Sequence, residues 1–193
     1  DIETMSKRHP SYTRIKIGAK RDARLTACEV EYVLDGGAYA TLSPVVLFRG
    51  VAHAGGPYEI PHVKVDGYAV ATNKVPSGAF RGFGSPQVIF AHESLYDELA
   101  ARLGLDPLEF RRRNALAIGK RTSSGQLLTE SVGLSDCIET VARESGWEEK
   151  QRGRAGRPAP ERASGSKRYG IGISCLNYGV GLGARGSQHD KAG

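Results

Sequence analysis

The stretch from Tyr12 to Leu34, YTRIKIGAKRDARLTACEVEYVL, contains two runs rich in β-branched and aromatic residues on either side of a polar segment. This arrangement predicts a β-hairpin in which Arg21 and Asp22 form the centre of the turn. Around that centre Ile15 lies opposite Cys28, so apolar side chains share one face and charged side chains share the other. The hairpin therefore predicts a sheet with one buried and one solvated face.

The remainder of the chain indicates one more strand and several helices, bounded by proline, glycine and capping residues. They are a helix that begins at Ser43-Pro44 and ends at Gly55-Gly56, a strand over Pro61 to Asn73, and helices over Ser85 to Leu103, Asp106 to Leu116 and Ser135 to Glu144. Strands and helices do not alternate as nucleotide-binding βαβ units. We therefore predict an α+β fold, a two-layer sandwich of helices on a mostly antiparallel sheet.

Several charged or ligand-type residues have an ordinary structural interpretation. The arginine run at residues 111–113 falls in the last turn of a predicted helix, where cations oppose the dipole favourably, so we expect it to be solvated. His53, His62 and His92 share no metal-binding spacing on one element. We expect them to be packed or surface residues.

The composition indicates a folded protein: 39% of the 193 residues are apolar. No run of about 18 apolar residues predicts a membrane span, and the first ten residues do not resemble a secretory signal. Cys28, Cys137 and Cys175 are far apart and form no zinc or iron–sulfur motif. We expect them to be small apolar fillers in a reducing compartment, and the protein to be cytoplasmic.

Much of the net charge of +6 lies in the Pro/Gly/Arg-rich stretch 150–168. Its low apolar content predicts a solvated linker, and the alternative is a basic module that binds nucleic acid. We divide the chain into a first domain over residues 1–148, a linker over 149–168 and the start of a following subdomain over 169–193.

Residues 78–87, GAFRGFGSPQ, place glycines directly before a predicted helix. Glycine lets backbone N–H groups approach a ligand closely, and a helix N-terminus favours anionic or oxo groups. Gly82 and Gly84 occupy that position, although a tight structural turn also explains such a pair. Phe80 and Phe83 do not easily both point into one core from so short a turn, so one of them is expected to line a pocket.

The longer stretch TNKVPSGAFRGFGSPQ, residues 72–87, resembles the signature of the molybdopterin-binding large subunit in the xanthine dehydrogenase and aldehyde oxidase family of molybdenum hydroxylases. The blocks SKRHPSYTRIKIG, LDGGAYA, GGPYEIPHV and LGLDPLEFRRRNAL resemble successive parts of the same subunit. That subunit is several times longer, so the resemblance implies that this chain is an internal portion of it.

The resemblance implies roles for the residues of the loop. Arg81 matches the residue whose backbone amide faces the molybdenum centre, with no side-chain ligand to the metal. Phe80, Gly82 and Gly84 would join Arg81 in binding the cofactor. Phe83 would stack on a planar ring substrate.

The family's substrate-orienting arginine lies nine residues before a tyrosine, a spacing that Arg49 and Tyr58 reproduce. A guanidinium suits this role because it is always charged and can hold negative charge that develops on a ring oxygen. Without the resemblance, Arg49 would be interpreted as a helix-surface arginine in a salt bridge.

The resemblance also implies a molybdenum cofactor, either molybdopterin or its cytosine dinucleotide, with iron–sulfur clusters and FAD on other domains or subunits. The loop lacks the copper-binding cysteine of carbon monoxide dehydrogenases, which favours a hydroxylase. The family's glutamate general base and its glutamine-bearing cofactor loop have no counterpart in this sequence.

We therefore expect part of a hydroxylase that oxidises an N-heterocycle or an aldehyde with water as the oxygen source, and that is inactive as the isolated chain. The expected partners are the remainder of the large subunit, the iron–sulfur and FAD components and a small-molecule substrate, with no nucleic acid or membrane. Two alternatives stay open, namely the basic nucleic-acid-binding module and a structural relative without redox activity.

Overall fold

The computed structural model describes residues 5–155 and 170–179 of the chain. Five helices and three strands lie in the first of these ranges, and they confirm the predicted α+β class. In chain order they are β1 (Ser11–Ala19), β2 (Leu25–Gly37), α1 (Ser43–His53), β3 (His62–Ala71), α2 (Ser85–Arg102), α3 (Pro107–Asn114), α4 (Leu134–Ser145) and α5 (Trp147–Ala155).

Strand β2 lies at the centre of the sheet, antiparallel to β1 and parallel to β3. The sheet is therefore mixed, where the sequence predicted mostly antiparallel pairing. The difference arises because the chain crosses through α1 between β2 and β3, and a crossover is the connection that joins parallel strands. Helices α1 and α2 pack against the sheet and form the second layer.

The β1–β2 register differs from the predicted one by two residues: Ile15 pairs with Val30, and Ile17 pairs with Cys28. Arg21 and Asp22 are the central residues of a turn, as predicted, since the Ala23 amide donates to the Lys20 carbonyl at 2.9 Å. The register differs because the connection extends over residues 20–24 and includes Ala23 with a φ of 70°. Since the shift is even, every side chain remains on its predicted face.

The two faces of β2 have opposite character. Alternate side chains are buried in the core: Cys28, Val30, Tyr32 and Leu34. On the other face Glu31 pairs with Arg14 and Glu29 pairs with Lys16, all of them partly solvated. Such exposed pairs contribute about 1 kcal/mol or less each, so the apolar face supplies most of the stabilisation.

The helix starts agree with the sequence in position and differ in detail. Asp106 caps α3 as predicted, since its Oδ1 accepts a hydrogen bond from the Leu108 amide at 2.8 Å. Helix α1 begins at Ser43, but its N-cap is Leu42. The Ser43 hydroxyl is instead buried and hydrogen-bonded to His9 Nε2 at 2.7 Å.

A buried ionic network lies between α2 and α3. Arg111 is 0% exposed, so the expectation that it is solvated is wrong. Its Nε and Nη2 donate to Glu93 at 2.9 and 2.8 Å, and its Nη1 donates to Asp97 at 2.7 Å. Glu93 also accepts from the Tyr58 hydroxyl at 2.5 Å and from the Cys175 amide at 3.0 Å. One carboxylate thus joins two helices, the loop before β3 and residues 170–179.

Helix α5 extends into the first residues of the predicted linker, and the buried Trp147 donates its Nε1 to Asp106 at 3.1 Å. Residues 156–169, which carry most of the basic stretch, lie outside the described residues. The domain division therefore stays a prediction. None of the helices described between residues 5 and 155 has the length and apolar character needed to cross a bilayer.

Removing one partner of the buried pair should be strongly destabilising. We expect Arg111→Ala to lower the free energy of unfolding by about 3–5 kcal/mol, because it leaves the Glu93 carboxylate buried without its cation. Arg112→Ala is the matched control, since its pair with Glu139 is largely solvated and should contribute about 1 kcal/mol or less. Urea unfolding measures both, and equal losses would contradict the assignment.

His92 should make stability depend on pH. Burial, with a smaller effect of the Arg111 charge, lowers its pKa from 6.5 to about 4, so its 3.6 Å contact with Glu93 is not an ion pair at neutral pH. Between pH 6.5 and 4 the unfolded chain takes up a proton that the folded chain does not, and stability falls by up to about 3 kcal/mol. Urea unfolding of His92→Asn over this range should show a shallower slope; an unchanged slope would refute the role.

Candidate functional site

The glycine-rich loop forms a tight turn immediately before α2. The Phe83 amide donates to the Phe80 carbonyl at 2.7 Å, and the Ser85 amide donates to the Gly82 carbonyl at 3.0 Å. Three consecutive residues have left-handed backbone angles: φ is 85° at Gly82, 49° at Phe83 and 100° at Gly84. Such a run is rare because every non-glycine residue in it is strained.

Packing within the chain explains both glycines. A Cβ at Gly82 would overlap the Pro86 ring, and a Cβ at Gly84 would overlap the Val46 carbonyl of α1. The sequence suggested that these positions are bare so that a ligand can approach. The structure supplies a different reason, namely the close approach of the turn to its own chain.

The direction of the Arg81 amide follows from the turn. No peptide bond in the described ranges is cis, and in a trans peptide the C=O and N–H groups point in opposite directions. The Phe80 carbonyl points into the turn towards the Phe83 amide, so the Arg81 N–H points out of it. The two bonds that close the turn do not use the amides of Arg81, Gly82 or Gly84.

The two phenylalanines of the loop have different environments. Phe80 is 55% exposed and lies under the Arg8 guanidinium, whose Cζ is 4.7 Å from the ring centroid. Phe83 is half-buried and packs against the edge of the core. The separation agrees with the argument that they do not share one core, while the roles of both rings stay predictions.

The turn lies directly on the helix that carries Arg49. Gly84 contacts α1 at Val46 and Gly50, and the Tyr32 hydroxyl donates to the Gly84 carbonyl at 3.2 Å. Arg49 precedes Gly50, so its Cα is one residue from this contact. The structure thus places Arg49 and the loop on adjacent elements. These elements contact each other at Gly50 and Gly84.

Arg49 is 6% exposed, so it is not the surface arginine of the alternative interpretation. Its Nη1 donates to the Gly179 carbonyl at 3.1 Å, and its guanidinium lies 4.8 Å from the centroid of the Tyr178 ring. The Tyr178 ring also stacks on His53 with centroids 5.4 Å apart. Sequence reasoning missed Tyr178 and Gly179, which it assigned to a following subdomain.

His53 adopts one tautomer in this arrangement. Its Nδ1 donates to the Arg49 carbonyl at 2.7 Å, which leaves Nε2 to accept from the Gly179 amide at 3.4 Å. Burial lowers the pKa of His53, and the nearby Arg49 charge acts in the same direction. The neutral ring is therefore the form that holds residues 178–179 on α1.

Several buried polar atoms around the turn have no hydrogen-bond partner within the described ranges. They are Arg8 Nη1, Ser85 Oγ and Gln87 Oε1. Buried polar groups normally have partners, so unpartnered ones at a helix N-terminus suggest a missing ligand. The Ser85 hydroxyl and the Arg8 guanidinium are donors that oxygen atoms of an anionic group such as a molybdenum pterin could accept from, whereas Gln87 Oε1 is an acceptor and requires a donor.

Fold and turn together define an α+β module with a left-handed, glycine-rich turn at the N-terminus of its longest described helix. The family model of the molybdopterin cofactor-binding domain matches residues 1–115, and the chain belongs to this family. The resemblance drawn from residues 72–87 is thereby confirmed. The roles of the individual site residues stay predictions.

The chain is similar to the large molybdopterin subunit of nicotinate dehydrogenase from Eubacterium barkeri, with 47% identity over 143 residues, which cover 74% of this chain and 33% of that protein. It is 37% identical to the aldehyde oxidoreductase of Megalodesulfovibrio gigas over 176 residues, 91% of this chain and 18% of that protein. The solved Desulfovibrio gigas aldehyde oxidoreductase aligns with a TM-score of 0.71 and 36% identity over 80% of this chain and 17% of that chain. The chain thus spans a third or less of these relatives.

The packing of Gly84 predicts a specific cost of adding one methyl group. We expect Gly84→Ala to lower the free energy of unfolding by about 3 kcal/mol or more, because left-handed strain is combined with overlap of the Val46 carbonyl. Gly104→Ala is the matched control: its φ of 69° is also left-handed, but nothing lies within 4 Å of an added Cβ. It should cost about 1–2 kcal/mol. Similar losses in chemical denaturation would contradict the packing argument.

Proposed function

We propose that this chain forms one wall of the molybdenum-cofactor site in the large subunit of a xanthine dehydrogenase-type hydroxylase. The observation that carries the proposal is the turn at residues 80–85, whose outward Arg81 amide adjoins the helix that bears Arg49 in a chain of the molybdopterin-binding family. The complete protein would oxidise an N-heterocycle or an aldehyde, with water as the oxygen source.

In this proposal Arg81 and Gly82 hold the cofactor through their backbone amides, while Phe80 and Gly84 shape the turn. The bound group supplies two-electron oxidation of a substrate carbon. The turn contributes donors that are already oriented, because its two closing hydrogen bonds and its packing on α1 fix the backbone. Preorganised donors need no rearrangement when negative charge appears opposite them.

Arg49 and Phe83 are the proposed substrate contacts. The Arg49 guanidinium would hold negative charge on the substrate, and its plane is fixed by the Tyr178 ring and the Gly179 carbonyl. The Phe83 ring would stack on a planar substrate. These groups orient the substrate, and the proton-transfer step is assigned to no residue of this chain.

A nicotinate-like N-heterocycle is the substrate class that we place first. The relative with 47% identity is named as a nicotinate dehydrogenase, and a guanidinium can bind a carboxylate through two parallel hydrogen bonds. An aldehyde is the second class, after the relative named as an aldehyde oxidoreductase.

The proposed partners are the remainder of the large subunit and the iron–sulfur and FAD components, with no nucleic acid or membrane. Burial raises the pKa of Cys28 to about 11 and also raises that of Cys175, so both are neutral thiols at pH 7. All three cysteines are free, which supports a reducing compartment, and we propose the cytoplasm.

In the complete protein, Arg49→Lys should raise KM for nicotinate by about 10- to 100-fold, because an ammonium group cannot reproduce two parallel bonds to a carboxylate. Molybdenum content by elemental analysis should stay at the wild-type level. Arg14→Lys, on the opposite face of the sheet, is the matched control and should leave KM unchanged. An unchanged KM in Arg49→Lys would remove Arg49 from the site, and a wild-type protein without molybdenum would contradict the proposal as a whole.

A further inference from the structure

The residues before β1 lie along the glycine-rich loop. Lys7 pairs with Ser77 as an isolated parallel bridge, and the Gly78 amide donates to the Lys7 carbonyl at 3.0 Å. On the other side, Gln87 Nε2 donates to the His9 carbonyl at 3.3 Å. Arg8 lies between these two attachments, so its backbone is held beside the turn.

The Arg8 side chain makes two different contacts with the turn. Its Nη2 donates to the Arg81 carbonyl at 2.6 Å, a short bond with a charged donor. Its guanidinium also lies over the Phe80 ring, with Cζ 4.7 Å from the centroid, in cation–π geometry. The two contacts together restrain consecutive residues of the loop.

The bond to the Arg81 carbonyl determines where the next amide points. That carbonyl and the Gly82 N–H belong to one trans peptide unit and are antiparallel, so the Gly82 N–H points away from Arg8. The preceding peptide unit is oriented by the bond from the Phe83 amide to the Phe80 carbonyl. The turn itself thus fixes the Arg81 amide, and Arg8 fixes the Gly82 amide.

We propose that Arg8 is a positioning residue of the cofactor loop, which holds the Arg81–Gly82 peptide so that the Gly82 amide faces the bound group. The proposal rests on the proposed function of the loop. Arg8 Nη1 is buried and has no acceptor in the described part of the chain. A buried guanidinium donor is costly without an acceptor, so this orientation of Arg8 depends on its contacts with the Arg81 carbonyl and the Phe80 ring.

Hydrogen–deuterium exchange of the complete protein tests the positioning without reference to the cofactor. Arg8→Ala should increase the exchange rate of the peptide that covers residues 78–87 by about tenfold or more, because a bond from a charged donor is lost. Arg8→Lys should give an intermediate rate, since an ammonium group can reach one carbonyl but cannot stack as a plane. Arg14→Ala, which removes an exposed arginine from the adjoining strand β1, is the control and should match the wild type.

Molybdenum and pterin contents of the same preparations give a second readout. Arg8→Ala should contain several-fold less of both after gel filtration, with partial recovery in Arg8→Lys. Unchanged exchange over residues 78–87 in both Arg8 variants would overturn the proposal, as would full cofactor content with faster exchange. A wild-type protein without molybdenum would refute the proposed function instead, while the exchange experiment would still decide whether Arg8 orients the loop.

Discussion

The ion pair between Glu93 and Arg111 is the interaction on which the arrangement of the site depends. A buried charge pair is stabilising only when its remaining hydrogen-bond capacity is also satisfied. Here Glu93 accepts from Tyr58 and Cys175 in addition to Arg111. The bond from the Cys175 amide anchors residues 170–179. In this segment the Tyr178 ring contacts the Arg49 guanidinium. Packing between two helices is thereby coupled to the environment of the proposed substrate-orienting arginine.

Glycine contacts provide the second constraint. An added Cβ at Gly50 would overlap the Tyr32 ring, and one at Gly84 would overlap the α1 backbone. The sheet, α1 and the turn can therefore approach one another more closely than side chains would permit. The candidate site is assembled from four distant segments: the residues before β1, helix α1, the turn and residues 170–179. The turn and Arg8 orient the loop amides, and residues 170–179 contact the Arg49 side chain.

Local patterns predicted most of the elements and little of the tertiary contact. Alternation in β2 gave the correct faces, because the side-chain period of a strand does not depend on its partner. The alternation did not predict the β1–β2 register, because the length of the connection over residues 20–24 determines the register. Arg111 was misassigned because its partner Glu93 lies on another helix, which helix-end rules do not consider. The loop was found from its glycines before a helix, and Arg49 through a family resemblance. Tyr178 and Arg8 were missed because their contacts join residues 129 and 73 positions apart.

The left-handed backbone at Phe83 limits how this position can diversify. With a φ of 49°, a β-branched side chain would be far more strained than phenylalanine, whereas glycine or asparagine would adopt the angle readily. The left-handed backbone angle at residue 83 therefore disfavours valine, isoleucine and threonine, whether or not a ligand is bound. New ring-binding preferences at residue 83 would have to arise among unbranched residues, and a mutagenesis library restricted to them would lose few folded variants.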